Sequence, residues 1–63
     1  MYLDPGAWIY IVKGEHASNG PVKAEVQLQI GPEIFATLDA SGQEIVCSIS
    51  EVVPAAEFEK GMY

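Results

Sequence analysis

The run PVKAEVQLQIGP, Pro21 to Pro32, decides the fold class. Val22, Ala24, Val26, Leu28 and Ile30 alternate with Lys23, Glu25, Gln27 and Gln29 without a lapse. This period of two belongs to a β-strand with one face on a core and the other in water. Gly31-Pro32 ends the run, because proline has no amide with which to continue a ladder. The pattern predicts a strand over 22–30 whose core face carries Val22, Ala24, Val26, Leu28 and Ile30.

The same period continues on the C-terminal side. A strand over 33–39 places Ile34, Ala36 and Leu38 on one face and Phe35 and Thr37 on the other. Asp39-Ala40-Ser41-Gly42 has tight-turn chemistry, with Asp suited to the first and Gly to the last position of a type I turn. A strand over 43–49 follows, with Ile45, Cys47 and Ile49 opposite Val46 and Ser48, so the two strands form an antiparallel hairpin. Ser50 to Pro54 reads as a short helical turn or a bent final strand. Residues 54–61 carry an early Pro, acids ahead of Lys60 and Gly61 as a stop, enough for two helical turns.

On the N-terminal side, Asp4-Pro5-Gly6 is turn chemistry and introduces a strand over 7–13. The polar loop 14–21 that follows is the segment expected to be most mobile. Trp8-Ile9-Tyr10-Ile11-Val12 is apolar on both strand faces. The β-branched Ile9 and Ile11 are expected in the core, which leaves Trp8 and Tyr10 outside. Two readings follow: the C-terminal segment covers them through Phe58, or Trp8, Tyr10 and Phe35 form an exposed aromatic patch that marks an interaction surface. Tyr63, at the end of the tail, joins the candidate interaction residues with Trp8, Tyr10, Phe35 and Phe58.

Four to five short strands in one chain of 63 residues are too few for a sandwich. A flat open sheet would also leave its edges bare. The economical arrangement is a bent all-β barrel that collects one face of every strand, with its core over 7–54 and a short C-terminal helical turn or tail over 55–63. A first strand AWIYIV, a long polar loop, the strand PVKAEVQLQI, the hairpin EIFATLDASGQEIVCSI and the closing turn SEVVP together resemble the SH3-like small-barrel superfold. The resemblance lies in strand order and loop length. The acidic, aromatic-rich loop and aromatic-proline pairs of peptide-binding SH3 domains are missing, so no ligand-binding residue carries over.

Composition narrows the function. Nine Asp and Glu stand against three lysines, Lys13, Lys23 and Lys60, for a formal net charge of −6. Binding to nucleic acid or anionic membrane draws on clustered Lys and Arg, so neither is an expected partner. A bilayer-spanning helix needs about 20 apolar residues; none is present, and the acidic start lacks the basic flank of a secretion signal. The expected location is cytoplasmic, or a virion if the chain is phage-encoded. A single cysteine, Cys47, excludes an intrachain disulfide and a thiolate zinc cluster.

Catalysis is not expected, and neither is a cofactor or metal. His16, the only histidine, lies in the polar loop beside Glu15 without convergent partners and reads as a solvated side chain. Cys47 shares a face with Ile45 and Ile49 and reads as a small core hydrophobe. The glycines do not form a phosphate cradle. What remains is a non-enzymatic protein–protein interaction or assembly module, a homo-oligomer or a docked subunit, with a small phage structural or accessory protein as one example. The alternative is a nucleic-acid-associated regulator, with Lys13 and Lys23 as its phosphate contacts.

Overall fold

In a computed structural model, which describes residues 2–61, the chain forms five strands and a short helix. The strands are β1 (Trp8–Ile11), β2 (Val22–Ile30), β3 (Glu33–Leu38), β4 (Glu44–Ser48) and β5 (Val52–Pro54), followed by α1 (Ala55–Glu59). One antiparallel sheet holds them in the order β4-β3-β2-β1-β5. The alternative at Ser50 to Pro54 resolves into both forms: a 3-10 turn, Ile49–Glu51, runs directly into β5. The polar loop is not featureless either, since it contains a 3-10 turn at Glu15–Ala17.

The turns follow from their residues. Ala7 N–H donates to the Asp4 carbonyl at 3.0 Å across Pro5 and Gly6, and Gly6 has φ of 90°. Proline followed by a positive-φ glycine is the type II pattern. Gly31 and Pro32 alone join β2 to β3, with Ile30 facing Glu33 and Gly31 at φ 58°. A two-residue hairpin takes a type I′ or II′ turn, and the locked negative φ of Pro32 leaves II′. Between β3 and β4 the turn closes from Leu38 rather than from Asp39: Gly42 N–H donates to the Leu38 carbonyl at 2.8 Å, and Leu38 N–H to Gln43 at 2.8 Å.

One feature overturns the simple reading of β2. Its register against β3 shifts between Val26 and Leu28: Val26 faces Ala36, while Leu28 already faces Phe35. Gln27 is the extra residue of a β-bulge, and a bulge reverses the phase of every side chain beyond it. Ala24 and Val26 are fully buried as expected, but Leu28 and Ile30 are 46% and 56% exposed instead of facing the core. Gln29 takes the inward side, facing the fully buried Ile34. Its Oε1 accepts from Leu3 N–H at 2.7 Å and its Nε2 donates to the Gly31 carbonyl at 2.9 Å, so the inward amide is satisfied. That bond draws the N-terminal segment over the end of the sheet, where Leu3 joins the core, a role the sequence reading left unassigned.

Ile9, Ile11, Val26 and Ile34 are the largest fully buried side chains, with Ala36, Ile45, Cys47, Val52 and Ala55 around them. Burial of each large aliphatic side chain is worth about 1.5–3 kcal/mol. The expected barrel closure is not made. β4 and β5 are the two edges and do not pair with each other, so the sheet is open. The turn between them acts as a strap: Ile49 N–H donates to the Pro32 carbonyl at 2.7 Å, and Val12 N–H to the Glu51 carbonyl at 2.8 Å. A capping box orders this strap, with Ser50 N–H donating to Ser48 Oγ at 3.3 Å and Ser48 N–H to Glu51 Oε1 at 3.1 Å.

Candidate interaction surface

The outward face of the sheet carries the residues that could act. Strand register sorts them into rows, because directly paired residues share a face. One row is Trp8, Glu25, Thr37 and Glu44; the next is Leu28, Phe35 and Val46; a third is Ile30, Glu33 and Ser48. Tyr10 lies beside Lys23 on one side and Val53 on the other.

The aromatics divide into two groups. Tyr10 and Phe58 stack with ring centroids 4.1 Å apart and planes 20° apart. The Tyr10 hydroxyl reaches Glu59 Oε2 at 3.4 Å, so α1 lies over β1 at this point. Lys23 Nζ sits 3.7 Å from the same Glu59 oxygen and 5.2 Å from the centre of the Trp8 ring. The ammonium thus bridges a carboxylate and an aromatic face, contacts worth about 0.5–1 kcal/mol each when exposed. The second apolar face of β1 is therefore covered from within the chain at Tyr10. At Trp8 the cover is incomplete, and the indole remains 42% exposed. Phe35 stands apart from this group, and Tyr63 lies outside the described residues.

Phe35 belongs to a different patch. It is half-buried between Leu28 and Val46, which is itself 47% exposed, and Ile30 extends the apolar surface toward the β2–β3 turn. A shallow groove of about 390 Å³ opens here, lined by Gln27, Leu28, Phe35, Glu44 and Val46 among others. Leu28, Ile30 and Val46 were not among the interaction residues expected from sequence. For Val46 the outward position was plain, and for Leu28 and Ile30 the bulge hid it.

The potentially reactive groups are placed as follows. His16 sits half-buried in the 3-10 turn of the first loop. Cys47 is buried in the core, and burial, aided by the negative charge of Glu51, pushes its thiol up to about 11. A thiol held protonated at neutral pH is a packing group rather than a nucleophile. Among the described residues no three His, Cys, Asp or Glu side chains converge as metal ligands would, and no helix is long and apolar enough to cross a membrane. No protein-family model, curated protein or solved structure matches the chain.

Proposed function

We propose that this chain is a non-enzymatic protein–protein interaction module that works through the outward face of its sheet. The observation that carries the reading is the contiguous apolar patch of Leu28, Ile30, Phe35 and Val46, in which Leu28, Ile30 and Val46 are each about half exposed while Ile9, Ile11, Val26 and Ile34 are fully buried. A clustered apolar surface on a small domain marks a place where another molecule removes it from water. Lys23, one of the two cations a phosphate contact would use, is engaged with Glu59 and the Trp8 ring, which favours a protein partner over nucleic acid. Strand order β4-β3-β2-β1-β5, the long first loop and the 3-10 turn ahead of β5 support an SH3-like reading of the sheet.

Native mass measurement of the chain, alone and in lysate of the cells that make it, tests the function. The expected result is a complex larger than one chain that is lost in Leu28→Lys. A single-chain mass under both conditions refutes the reading.

A further inference from the structure

The apolar patch borders a sheet edge whose free groups can be located. Leu38 N–H donates to Gln43, which makes Leu38 and Gln43 a hydrogen-bonded pair. Such pairs alternate with non-bonded ones in an antiparallel ladder, so Ala36–Ile45 and Ile34–Cys47 are bonded, while Phe35–Val46 and Thr37–Glu44 are not. The N–H and C=O groups of Glu44 and Val46 therefore point off the edge, and among the described residues no further strand pairs with β4. Ser48 N–H is already taken by Glu51. The edge thus offers its backbone bonds at Glu44 and Val46, beside the groove formed by Leu28, Phe35 and Val46.

Charge then selects the occupant. On the outward face Glu44 flanks Val46 on one side, and Glu33, opposite Ser48, flanks it on the other. The patch is apolar at its centre and acidic at both ends. A second copy of this chain, with a net charge of −6, would bring the same acids against them. We propose that β4 takes up an extended segment of a partner protein as an added strand, one whose outward side chains run basic, apolar, basic. The apolar side chain lies beside Val46 and over the groove, and the two cations lie against Glu44 and Glu33. Backbone bonds supply affinity in this mode and alternate side chains supply specificity. The inference rests on the interaction-module reading and names the chemistry of its partner.

The test is an amide-resolved NMR titration of the labelled chain with the capped peptide acetyl-Ser-Lys-Thr-Val-Thr-Lys-Ser-amide, and with its counterpart bearing Glu for both Lys. At low salt the Lys peptide is expected to shift the Glu44 and Val46 amides most, to bind about tenfold more tightly than the Glu peptide, and to weaken severalfold as added salt shortens the range of the charges. Val46→Pro removes one outward donor and should abolish binding. Because proline also disfavours strand geometry around β4, Glu44→Lys serves beside it and should narrow or invert the preference between the peptides. Equal binding of both peptides, or shifts confined to Trp8 and Tyr10, overturns the inference. So does self-association that strengthens with salt and vanishes in Leu28→Lys, which would make a second copy the occupant. If neither peptide binds while the complex in lysate persists, the basic-segment inference fails and the interaction-module reading stands.

Discussion

Replacing Leu28 with lysine separates the bulged strand from the regular one. In an unbroken alternation Leu28 would point into the core between the strands. A lysine there would bury an unpaired ammonium at a cost of several kcal/mol. A domain of 63 residues has a total stability of about 3–9 kcal/mol at typical values per residue, so such a variant would not fold. In the structure the side chain is 46% exposed on the outward face. Complete burial of a leucine is worth about 1.5–3 kcal/mol, so the partial burial lost here comes to about 1 kcal/mol, and the lysine stem recovers some of it. Urea unfolding followed by far-UV circular dichroism should show a cooperative transition displaced by no more than about 1 kcal/mol. Ile34→Val, at a fully buried site, should cost about 0.5–1.5 kcal/mol through the loss of one methylene, although it is chemically far milder. A Leu28→Lys chain with no cooperative transition would refute the bulge and restore Leu28 to the core.

Three further outcomes follow from the same geometry. Gln29→Ala removes the acceptor for Leu3 N–H and loosens the segment that buries Leu3, so it should cost about 1–3 kcal/mol, while Gln27→Ala at the bulge should cost less than about 0.5; equal small effects in denaturant titrations would contradict the inward amide. Gly14 has φ of 88°, and a Cβ there would collide with the Glu51 carboxylate, so Gly14→Ala should lose about 2–4 kcal/mol through backbone strain and a broken capping box; a thermal midpoint unchanged from the parent would argue against that contact. The Cys47 thiol titrates near 11 when folded against 9.0 in the reference state, so its contribution is complete below pH 9 and is lost as pH rises toward 11; stability relative to Cys47→Val should fall by about 2–3 kcal/mol across that window, and parallel pH curves would refute the burial of the thiol.

Much of the fold was legible because its turns are written in residues with few conformational options. Asp4-Pro5-Gly6, Gly31-Pro32 and the glycine at 42 sit where the chain reverses, and the strands between them fall within a few residues of the alternation. Strict alternation gives the wrong phase for β2 beyond Val26, although the contradiction lies in the sequence. A two-residue turn at Gly31-Pro32 pairs Ile30 with Glu33 and therefore Leu28 with Phe35. Paired residues share a face, yet the alternation puts Phe35 outside and Leu28 inside. The extra residue between Val26 and Leu28 reconciles the two assignments. Leu3 could not be placed from periodicity, because it belongs to no strand and is held by one amide that the bulge turns inward. On β1, sequence alone left the cover of Trp8 and Tyr10 open; the stack of Tyr10 on Phe58 depends on how α1 folds back, a tertiary fact that no local pattern encodes.

The bulge at Gln27 also divides the freedom of β2 to change. Before it, Ala24 and Val26 are confined by the core and admit little variation in volume. Beyond it, position 29 needs a side chain that can accept from Leu3, whereas positions 28 and 30 answer only to whatever meets the outward face. A single strand thus carries one segment tuned for folding and another tuned for contact, joined at one residue. New surface chemistry can be written at 28 and 30 without disturbing the interior, so the outward face can be respecified while the scaffold stays as it is.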